Sequence, residues 1–567
     1  MARLISRFLV VLSVLLSARV LAADGQLPAA SDGCQILFAE GDPRLYEFIE
    51  TRRTVNFKDY EGRRIGSIQY VALPIFNPDD PDEDNALYRA VNWLHILTKT
   101  SPLKRQVLVH ENDPLDVEQV RESERILRGA GYLYDAMILP ARVCADSVDL
   151  LVVVRDVWTL QPTVSFSRTG GENSKGFGIS DKNILGYGHA VSLMYKADDE
   201  RKGVGISFSS DHVWDGHTAL DLEHVDNNDG SSDRIALSRP FYAIDTPWSA
   251  GALYETYDIE QEISTADVTS NEYDQHSENM EVFGGALLRL QDNLVWRGSV
   301  GITRERDNYD NQREGYTDPL PQDQIIAYPW IEFDSVEYRY WTTSNLYQLF
   351  RNEDINLGTQ YAIRIGATSS ALGSTENRWI TMINWQRTSS FGKNHAMRNS
   401  VYLNLARNRD TGEQEDSTWG YTGIYDHFID DLNRWHVQFQ YQGGNGLEVG
   451  DMFTIGGGEV LRGYEKDTQR GDRYAVLNIE HRHFFDVHPF NLFRIGSAVF
   501  FEAGRAWESR PTLEQSDAVL YDIGVGLRIN SSKARPDHIF HINLAAPLTE
   551  RDISDKYLIS FFASTTI

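Results

Sequence analysis

The sequence has 567 residues, a formal net charge of -28, and 12 Trp, 27 Tyr, 25 Phe and 43 Gly beside only 7 Met. The length allows more than one domain, and the acidic balance excludes a nucleic-acid partner, because such a surface repels phosphates. The longest apolar run after the first 22 residues is 150–154, too short for a spanning helix, so any membrane residence must use strands.

The first 22 residues have the layout of a secretory signal peptide. Arg3 and Arg7 precede an apolar run at 8–16, and residues 20–22 offer a small-residue cleavage site. A single membrane anchor is the alternative, but the run is shorter than the ~20 residues that a spanning helix needs. We therefore expect residues 1–22 to be removed on export.

The next segment, 23–61, carries few periodic signals and is predicted to be an extended N-terminal segment. Residues 62–160 predict a small α+β domain in the order β-α-α-β-β, with strands at 64–76, 134–143 and 148–157. The second helix begins after Asp116, which can accept from the amides of its first turn. The first helix is indicated by apolar residues at helical spacing: Leu87, Ala90, Val91, Leu94 and Leu97.

The two cysteines, Cys34 and Cys144, lie on either side of most of this domain. An oxidising compartment favours their pairing, so we expect one disulfide that ties the N-terminal segment to the domain. Two unpaired buried thiols are the alternative, because the sequence does not fix the distance between the two Cα atoms.

From residue 161 to the end, segments of about ten alternating residues are separated by loops rich in Gly, Asn, Asp and charge. This texture predicts an antiparallel transmembrane β-barrel over 161–567, and roughly eighteen to twenty candidate strands can be counted. A large secreted soluble β-protein would share the aromatic and glycine totals.

The sharpest motif is Gly-Gly-Gly-Glu-Val-Leu-Arg-Gly-Tyr at 456–464, which ends in Leu461, Arg462, Gly463 and Tyr464. It resembles the arginine-glycine-aromatic motif at the tip of the inward-folded sixth loop of the BamA/TamA superfamily. Segments at 181–188, 474–482, 522–528 and 540–548 resemble further family segments in the family's order. Residues 122–128 and 156–160 look like parts of a POTRA domain, the family's periplasmic module.

The resemblance implies an acidic partner for Arg462 on the inner wall, in the pattern Phe-x-Asp-x-Gly. Phe500, Glu502 and Gly504 supply that pattern with Glu in place of Asp. Strand alternation places these three residues on one face, and a charge facing lipid would be costly, so Glu502 is expected to face the lumen. The planar guanidinium of Arg462 suits two parallel bonds to one carboxylate, and Gly463 is expected to allow a sharp turn beside it.

The resemblance also implies 16 strands. We prefer this number to the direct count, because short alternating stretches in long extracellular loops are easily mistaken for wall. The 408 residues from Leu160 to Ile567 would then give about 25 residues per strand and loop.

The implied protein is an outer-membrane β-barrel with one POTRA domain in the periplasm, which translocates or inserts proteins. An unfolded or extended client would bind the edge of the POTRA sheet. The other expected partners are outer-membrane lipids, and the barrel is expected to be monomeric. No catalytic motif is present, so neither enzymatic activity nor a cofactor or metal is expected. The alternatives are an ordinary α+β domain without a client, a passive porin-like channel, a surface adhesin, and lipid transport to the outer membrane.

Overall fold

The structure is a computed structural model that describes residues 34–567 with several gaps. The gaps are 52–54, 170–171, 199–200, 215, 266–267, 316–319, 393, 448–451, 458–460, 510–517, 535–538, 550–555 and 565. The predicted signal peptide, residues 1–22, therefore lies outside the described residues. No helix of the described part is both long and apolar enough to cross a membrane.

The N-terminal domain is a four-stranded sheet with helices on both faces. Its elements are β1 Gln35–Ile36, α1 Arg44–Thr51, β2 Arg64–Leu73, α2 Ala86–Leu94, α3 Thr100–Gln106, α4 Val117–Gly129, β3 Leu133–Val143 and β4 Ser147–Asp156. The strand order is β1-β3-β4-β2, with β2 parallel to β4. The predicted elements are found, together with one additional helix, α3. The side chain of Asp116 accepts from the amides of Glu118 and Gln119 and so begins α4.

The central strand β4 is buried on both faces, which explains its continuous apolar run. Leu150 and Val152 pack with α3 and α4, whereas Leu151 and Val153 pack with α1. A strand covered on both sides has no polar face, so its sequence does not alternate. The domain therefore has two apolar layers, one on each side of the sheet.

The segment before the domain is not extended within the described residues. β1 pairs with the end of β3, and α1 packs Leu45 and Ile49 against the second face of the sheet. A disulfide joins Cys34 to Cys144, whose Cα atoms are 4.3 Å apart. The expectation of an extended segment failed because α1 is only eight residues long, and one amphipathic helix of that length leaves few repeats to recognise.

The described residues from Leu160 onwards form a closed antiparallel barrel of twenty strands with two small hairpins attached. The strands are β5 Leu160–Thr169, β6 Glu172–Asp181, β7 Ala190–Ala197, β8 Lys202–Val213, β9 Thr218–Asn227, β10 Gly230–Arg239, β11 Trp248–Thr265, β12 Val268–Gln291, β13 Leu294–Asp310, β14 Gln324–Glu337, β15 Tyr340–Thr343, β16 Glu353–Asn356, β17 Thr359–Ala367, β18 Arg378–Phe391, β19 His395–Asn408, β20 Gln414–Phe428, β21 Asn433–Asn445, β22 Phe453–Ile455, β23 Gln469–Gly471, β24 Arg473–Phe485, β25 Phe493–Trp507, β26 Leu520–Ser531, β27 Ile539–Pro547 and β28 Leu558–Ser564. The hairpins β15–β16 and β22–β23 are separate two-stranded sheets and are not part of the barrel wall.

The prediction of 16 strands is wrong. The direct count came closer, because several connections are tight hairpins that leave more of the chain for the wall. Only two residues separate β9 from β10, and only two separate β12 from β13. β11 and β12 have 18 and 24 residues, more than the ~9–11 that cross a bilayer, so this hairpin extends beyond the membrane.

The N-terminal domain contacts one end of the barrel, which we call the proximal rim; the opposite end is the distal rim. Lys533, in the turn between β26 and β27, pairs with Glu83. On the other side of the domain, the amide of Lys99 donates to the carbonyl of Gly186, in the turn between β6 and β7, at 2.9 Å. The domain is thus held by turns that flank both the first and the last barrel strands.

Candidate functional site inside the barrel

The lumen loop, residues 446–472, joins β21 to β24 at the distal rim, and its described residues, which exclude 448–451 and 458–460, fold into the barrel. The short hairpin β22–β23 forms its stem. Leu461, Arg462 and Tyr464 at its tip are all buried. Leu461 and Tyr464 form an apolar cluster with wall residues such as Val476 and Leu520, so the tip rests on the inner face of the wall.

The inner face of β25 is defined by strict alternation. Phe500, Glu502 and Gly504 are buried, whereas Val499 on the opposite face is 54% exposed. The structure therefore places these three residues of the predicted pattern towards the lumen, beneath the tip of the lumen loop. Outward residues such as Val499 are apolar, as contact with lipid requires.

Arg462 is held by two carboxylates. Its Nη2 lies 2.6 Å from Glu480 Oε1 and 3.1 Å from Glu502 Oε1. Its backbone amide donates to Glu502 Oε2 at 2.8 Å, and its guanidinium carbon lies 3.4 Å from the centroid of the Phe500 ring. The expected two parallel bonds to one carboxylate are therefore not formed. Glu502 binds the main chain as well as the side chain, and Glu480 makes the shorter side-chain bond.

Glu480 lies between several arginines on the inner wall. Its Oε2 accepts from Arg482 Nε at 2.6 Å, while its Oε1 is bound by Arg462, and Arg528 Nη2 lies 3.9 Å away. All these side chains are buried. Because a buried charge without a partner is costly, this arrangement satisfies cations of the wall and of the lumen loop at the same time.

Gly463 is required by proximity rather than by a turn. Its amide donates to Asp522 Oδ2 at 3.0 Å, and a Cβ atom at this position would lie 2.6 Å from the Cβ of Asp522. The positive φ angle belongs instead to Leu461, at 54°. The expectation that Gly463 provides the turn is thus wrong. It gives the backbone space to reach the wall, and Gly504 does the same beneath Leu461.

Tyr464 attaches the tip to the distal part of the wall. Its hydroxyl donates to the carbonyl of Tyr521 at 2.8 Å, and the carbonyl of Thr549 lies 2.9 Å from the same hydroxyl. Both the ring and the hydroxyl are therefore engaged. A phenylalanine at this position would retain the packing and lose the polar contacts.

Sequence reasoning missed Glu480 and Asp522. Both lie in segments that resembled the family, and alternation carried a usable signal: Asn478, Glu480 and Arg482 form a polar row on one face of β24. A row of charges within a membrane strand must face the lumen. Which of these charges meets the loop depends on the register between strands, which the sequence of one strand does not contain.

A second segment enters the barrel from the proximal rim. No role was predicted for it from the sequence. This proximal insertion, residues 338–358 between β14 and β17, includes the hairpin β15–β16. Leu349 packs with Phe484, Ile539 and the C-terminal Ile567. Phe484 shares the inner face of β24 with Glu480. The insertion therefore reaches the inner surface of the C-terminal wall.

The proximal insertion also contacts the N-terminal domain. Asp354 binds Arg128 at 2.7 Å, Asn352 donates to Asp135 at 2.7 Å, and Arg351 donates to the carbonyl of Leu133 at 3.2 Å. Glu353 accepts from three backbone amides of the insertion, at Leu346, Tyr347 and Gln348. Burial nevertheless raises the pKa of Glu353 to about 7.

Within the described part of the chain, no group of three or more His, Cys, Asp or Glu side chains is arranged to hold a metal ion. The buried carboxylates of the lumen are bound by arginines, backbone amides and Asn478, as at Glu502. The arrangement can hold a re-entrant loop against the wall. Its chemistry is that of ion pairs and hydrogen bonds.

A family profile described as the Omp85 superfamily domain matches residues 183–567, which include both the lumen loop and its partners on the wall. No curated protein matches the chain. The solved structures that are similar include BamA from Haemophilus ducreyi lacking POTRA domains 1-3, with 14% identity over 89% of this chain and 85% of that chain and a TM-score of 0.37. CdiB from Acinetobacter baumannii has 12% identity over 89% and 74%, with a TM-score of 0.42. CdiB from Escherichia coli has 10% identity over 91% and 93%, with a TM-score of 0.39. Since the profile covers more than half of the chain, this protein is an outer-membrane β-barrel that belongs to the Omp85 superfamily.

Proposed function

We propose that this protein translocates or inserts protein clients at the outer membrane. The observation that carries the proposal is the lumen loop, whose buried Arg462 is bound by Glu480 and Glu502. A passive channel needs an open lumen, whereas here the distal loop and the proximal insertion both pack against the inner wall. A lumen that holds two packed segments fits a transporter that opens only during its working cycle.

We further propose that the N-terminal domain acts as a periplasmic POTRA module that receives the client. Within the described residues, β2 is an edge strand that pairs with β4 on one side, while the other side bonds to residues 111–115 from Arg63 to Ile68 and shows no such bond beyond Ile68. An extended client can add to such an edge through main-chain hydrogen bonds. A photo-reactive residue at the exposed Gln69 on this strand is expected to capture client, whereas one at the exposed Lys58, outside the edge, is not.

The seam between β28 and β5 supports a sideways opening of the barrel. Among the described residues, Phe561 and Arg168 form the single pair of this ladder. The adjoining ladder between β27 and β28 runs from Ile539 to Ala545. Because few backbone hydrogen bonds would have to break, the seam is the joint at which the wall separates most easily.

The sharpest test is to close this joint covalently. A disulfide between Arg168→Cys and Phe561→Cys is expected to abolish activity and to be reversed by reduction. The control is Val499→Cys with Val525→Cys, a pair on the long ladder between β25 and β26 whose side chains are exposed. Unchanged activity of the closed seam would contradict lateral opening.

The function as a whole is tested by depletion. Cells that lose the protein should lose specific proteins from the outer membrane or the medium, and wild type should restore them. Unchanged protein content together with altered outer-leaflet lipids would instead indicate lipid transport. Steady single-channel conductance of the purified barrel would indicate a porin. Either result would overturn the proposal.

A further inference from the structure

Helix α2 turns an apolar surface away from the domain to which it belongs. The exposed fractions of its large outward side chains and of those just after it are high: Leu87 65%, Trp93 78%, Leu94 60%, Ile96 51% and Leu97 39%. We call these five residues the α2 face. Most of the apolar stripe that predicted this helix is therefore not buried in the domain core, where such stripes normally lie.

The opposite side of α2 is fixed by specific contacts, so the orientation of the helix is well determined. Tyr88 stacks on Phe76 with ring centroids 4.0 Å apart, and Asn92 accepts from the amide of Phe76 at 3.1 Å. Just beyond the helix, His95 lies 2.8 Å from the buried Asp156. Asn92 and His95 thus face the domain, whereas Leu87, Trp93 and Leu94 face outward.

The segment lies along the proximal rim, where the lipid-facing wall ends. Tyr88 donates to the carbonyl of Phe490, in the turn between β24 and β25. At its other end, Thr98 accepts from Asn183 at 2.8 Å, in the turn between β6 and β7. The segment therefore runs beneath the seam, from turns of the last strands to turns of the first.

The α2 face continues an apolar surface that already contacts lipid. Leu185 and Tyr187, in the turn beside Leu97, are 50% and 37% exposed. Directly above them, Ile179 on β6 and Leu193 on β7 are 50% and 48% exposed on the outer wall. Apolar side chains on the outside of a membrane barrel face acyl chains.

The polar residues that follow the α2 face are those typical of a membrane surface, whereas an acidic turn at 79–84 precedes it. Lys99 Nζ lies 3.8 Å from the centroid of the Tyr187 ring, and Lys104 is exposed on α3. Lysine and aromatic side chains are favoured where headgroups meet acyl chains, because each has an apolar body and a polar end. Trp93, the most exposed residue of the face, is of the same kind.

We propose that the α2 face lies in the interfacial region of the periplasmic leaflet and binds the phospholipid surface beside the seam. A helix with one apolar face and nearby cations lies in the plane of such an interface. A second copy of the chain or a client protein fits less well, because the face is continuous with a surface already covered by lipid. The proposal depends on the membrane location of the barrel and is independent of which client the protein handles.

The test uses the full chain in nanodiscs of phosphatidylethanolamine and phosphatidylglycerol, with Trp93 replaced by photo-reactive benzoylphenylalanine. The control carries the same residue at His110, whose side chain is 72% exposed. His110 lies near the start of β2, at the end of the sheet away from the barrel. After irradiation, mass spectrometry is expected to find several-fold more phospholipid adduct at position 93 than at position 110.

Equal lipid adduct at the two positions, or adducts at position 93 only to protein, would overturn the proposal. An adduct to a second copy would show that the face is a dimer contact instead. A second measurement does not depend on the photo-reactive residue. Brominated phospholipids should quench the fluorescence of wild type more than that of Trp93→Phe, and equal quenching would also contradict the proposal.

Discussion

Two segments enter this barrel from opposite ends, and they are held in different ways. The described contacts of the lumen loop are with the wall and its connecting loops, chiefly through Arg462 and the carboxylates of Glu480 and Glu502. The proximal insertion is bound by the wall through Leu349 and by the N-terminal domain through Asp354. The position of the lumen loop therefore depends on local charge, whereas that of the proximal insertion also depends on the position of the N-terminal domain. Movement of the domain would therefore loosen the proximal insertion without affecting the lumen loop.

The largest effect is expected from Arg462→Ala. Its removal leaves Glu502 buried without its partner arginine and leaves Glu480 with Arg482 as its bonded cation, and breaking a buried pair in this way costs about 3–5 kcal/mol. Amide exchange should accelerate in the described parts of the lumen loop, and the function restored by wild type after depletion should be lost. Arg462→Lys should recover only part of it, because an ammonium group lacks the planar guanidinium surface that stacks on the Phe500 ring.

The control for this variant is Arg387→Ala, which removes an exposed arginine from β18. It should leave exchange in the lumen loop unchanged. Wild-type exchange in Arg462→Ala would show that the backbone bonds to Glu502 and Asp522 hold the loop without the guanidinium.

Leu349→Ala tests whether the lumen loop and the proximal insertion are held independently. This change removes apolar contacts with Phe484 and Ile539 and should cost about 2–5 kcal/mol locally. The proximal insertion should become sensitive to protease while exchange in the lumen loop stays as in wild type. Leu372→Ala, at a leucine that is 45% exposed, is the matched control. Simultaneous loosening of both segments would show that they form one unit.

A smaller effect is expected from Glu480→Gln. Arg462 and Arg482 lose a charged acceptor, but Glu502 still binds both the amide and Nη2 of Arg462. A hydrogen bond to a charged group contributes about 1.5–3 kcal/mol to stability, and the substitution removes part of this contribution. Exchange in the lumen loop should therefore lie between that of wild type and that of Arg462→Ala. His481→Gln, on the opposite face of β24, serves as the control. An effect as large as that of Arg462→Ala would identify Glu480 as the main support of the loop.

The smallest effect is a pH dependence confined to the proximal insertion. Burial raises the pKa of Glu353 to about 7 from an ordinary value of 4.5, although nearby Arg434 opposes the shift. Since the folded state favours the neutral carboxyl, this contribution to stability is complete below pH 4.5 and is lost as the pH rises through about 7. Protease resistance of the insertion should fall between pH 5 and pH 8.

Glu353→Gln imitates the neutral carboxyl and should flatten that profile. Glu124 of the N-terminal domain also has its pKa raised to about 7 by burial, so Glu124→Gln in the same assay separates the two groups. A profile that is unchanged in Glu353→Gln would assign the pH dependence elsewhere.

The lumen loop could be predicted from sequence because its motif resembles that of a known family and because strand alternation marks the inner face of its partner strand. An arginine beside a glycine, and a strand in which Phe500, Glu502 and Gly504 alternate with apolar residues, can be read without knowing the strand order. Glu480 could not be assigned, since its distance to Arg462 depends on the register across β24 and β25. The proximal insertion has no recognisable sequence pattern, because Leu346 and Leu349 are distinguished from other leucines only by their contacts in the folded protein. The prediction of the strand number failed for a related reason. Connections of only two residues leave more of the chain for wall strands, and a family average does not show where such short connections occur.

The bond between Cys34 and Cys144 closes a covalent ring across a sequence separation of 110 residues. A ring of this size restricts the denatured chain and, on a chain-entropy account, is worth about 4–5 kcal/mol. Such a ring forms only in an oxidising environment, so it is absent from the precursor in a reducing cytosol. The chain therefore gains this part of its stability only after it has crossed the inner membrane, and until then it remains easier to thread through an export channel.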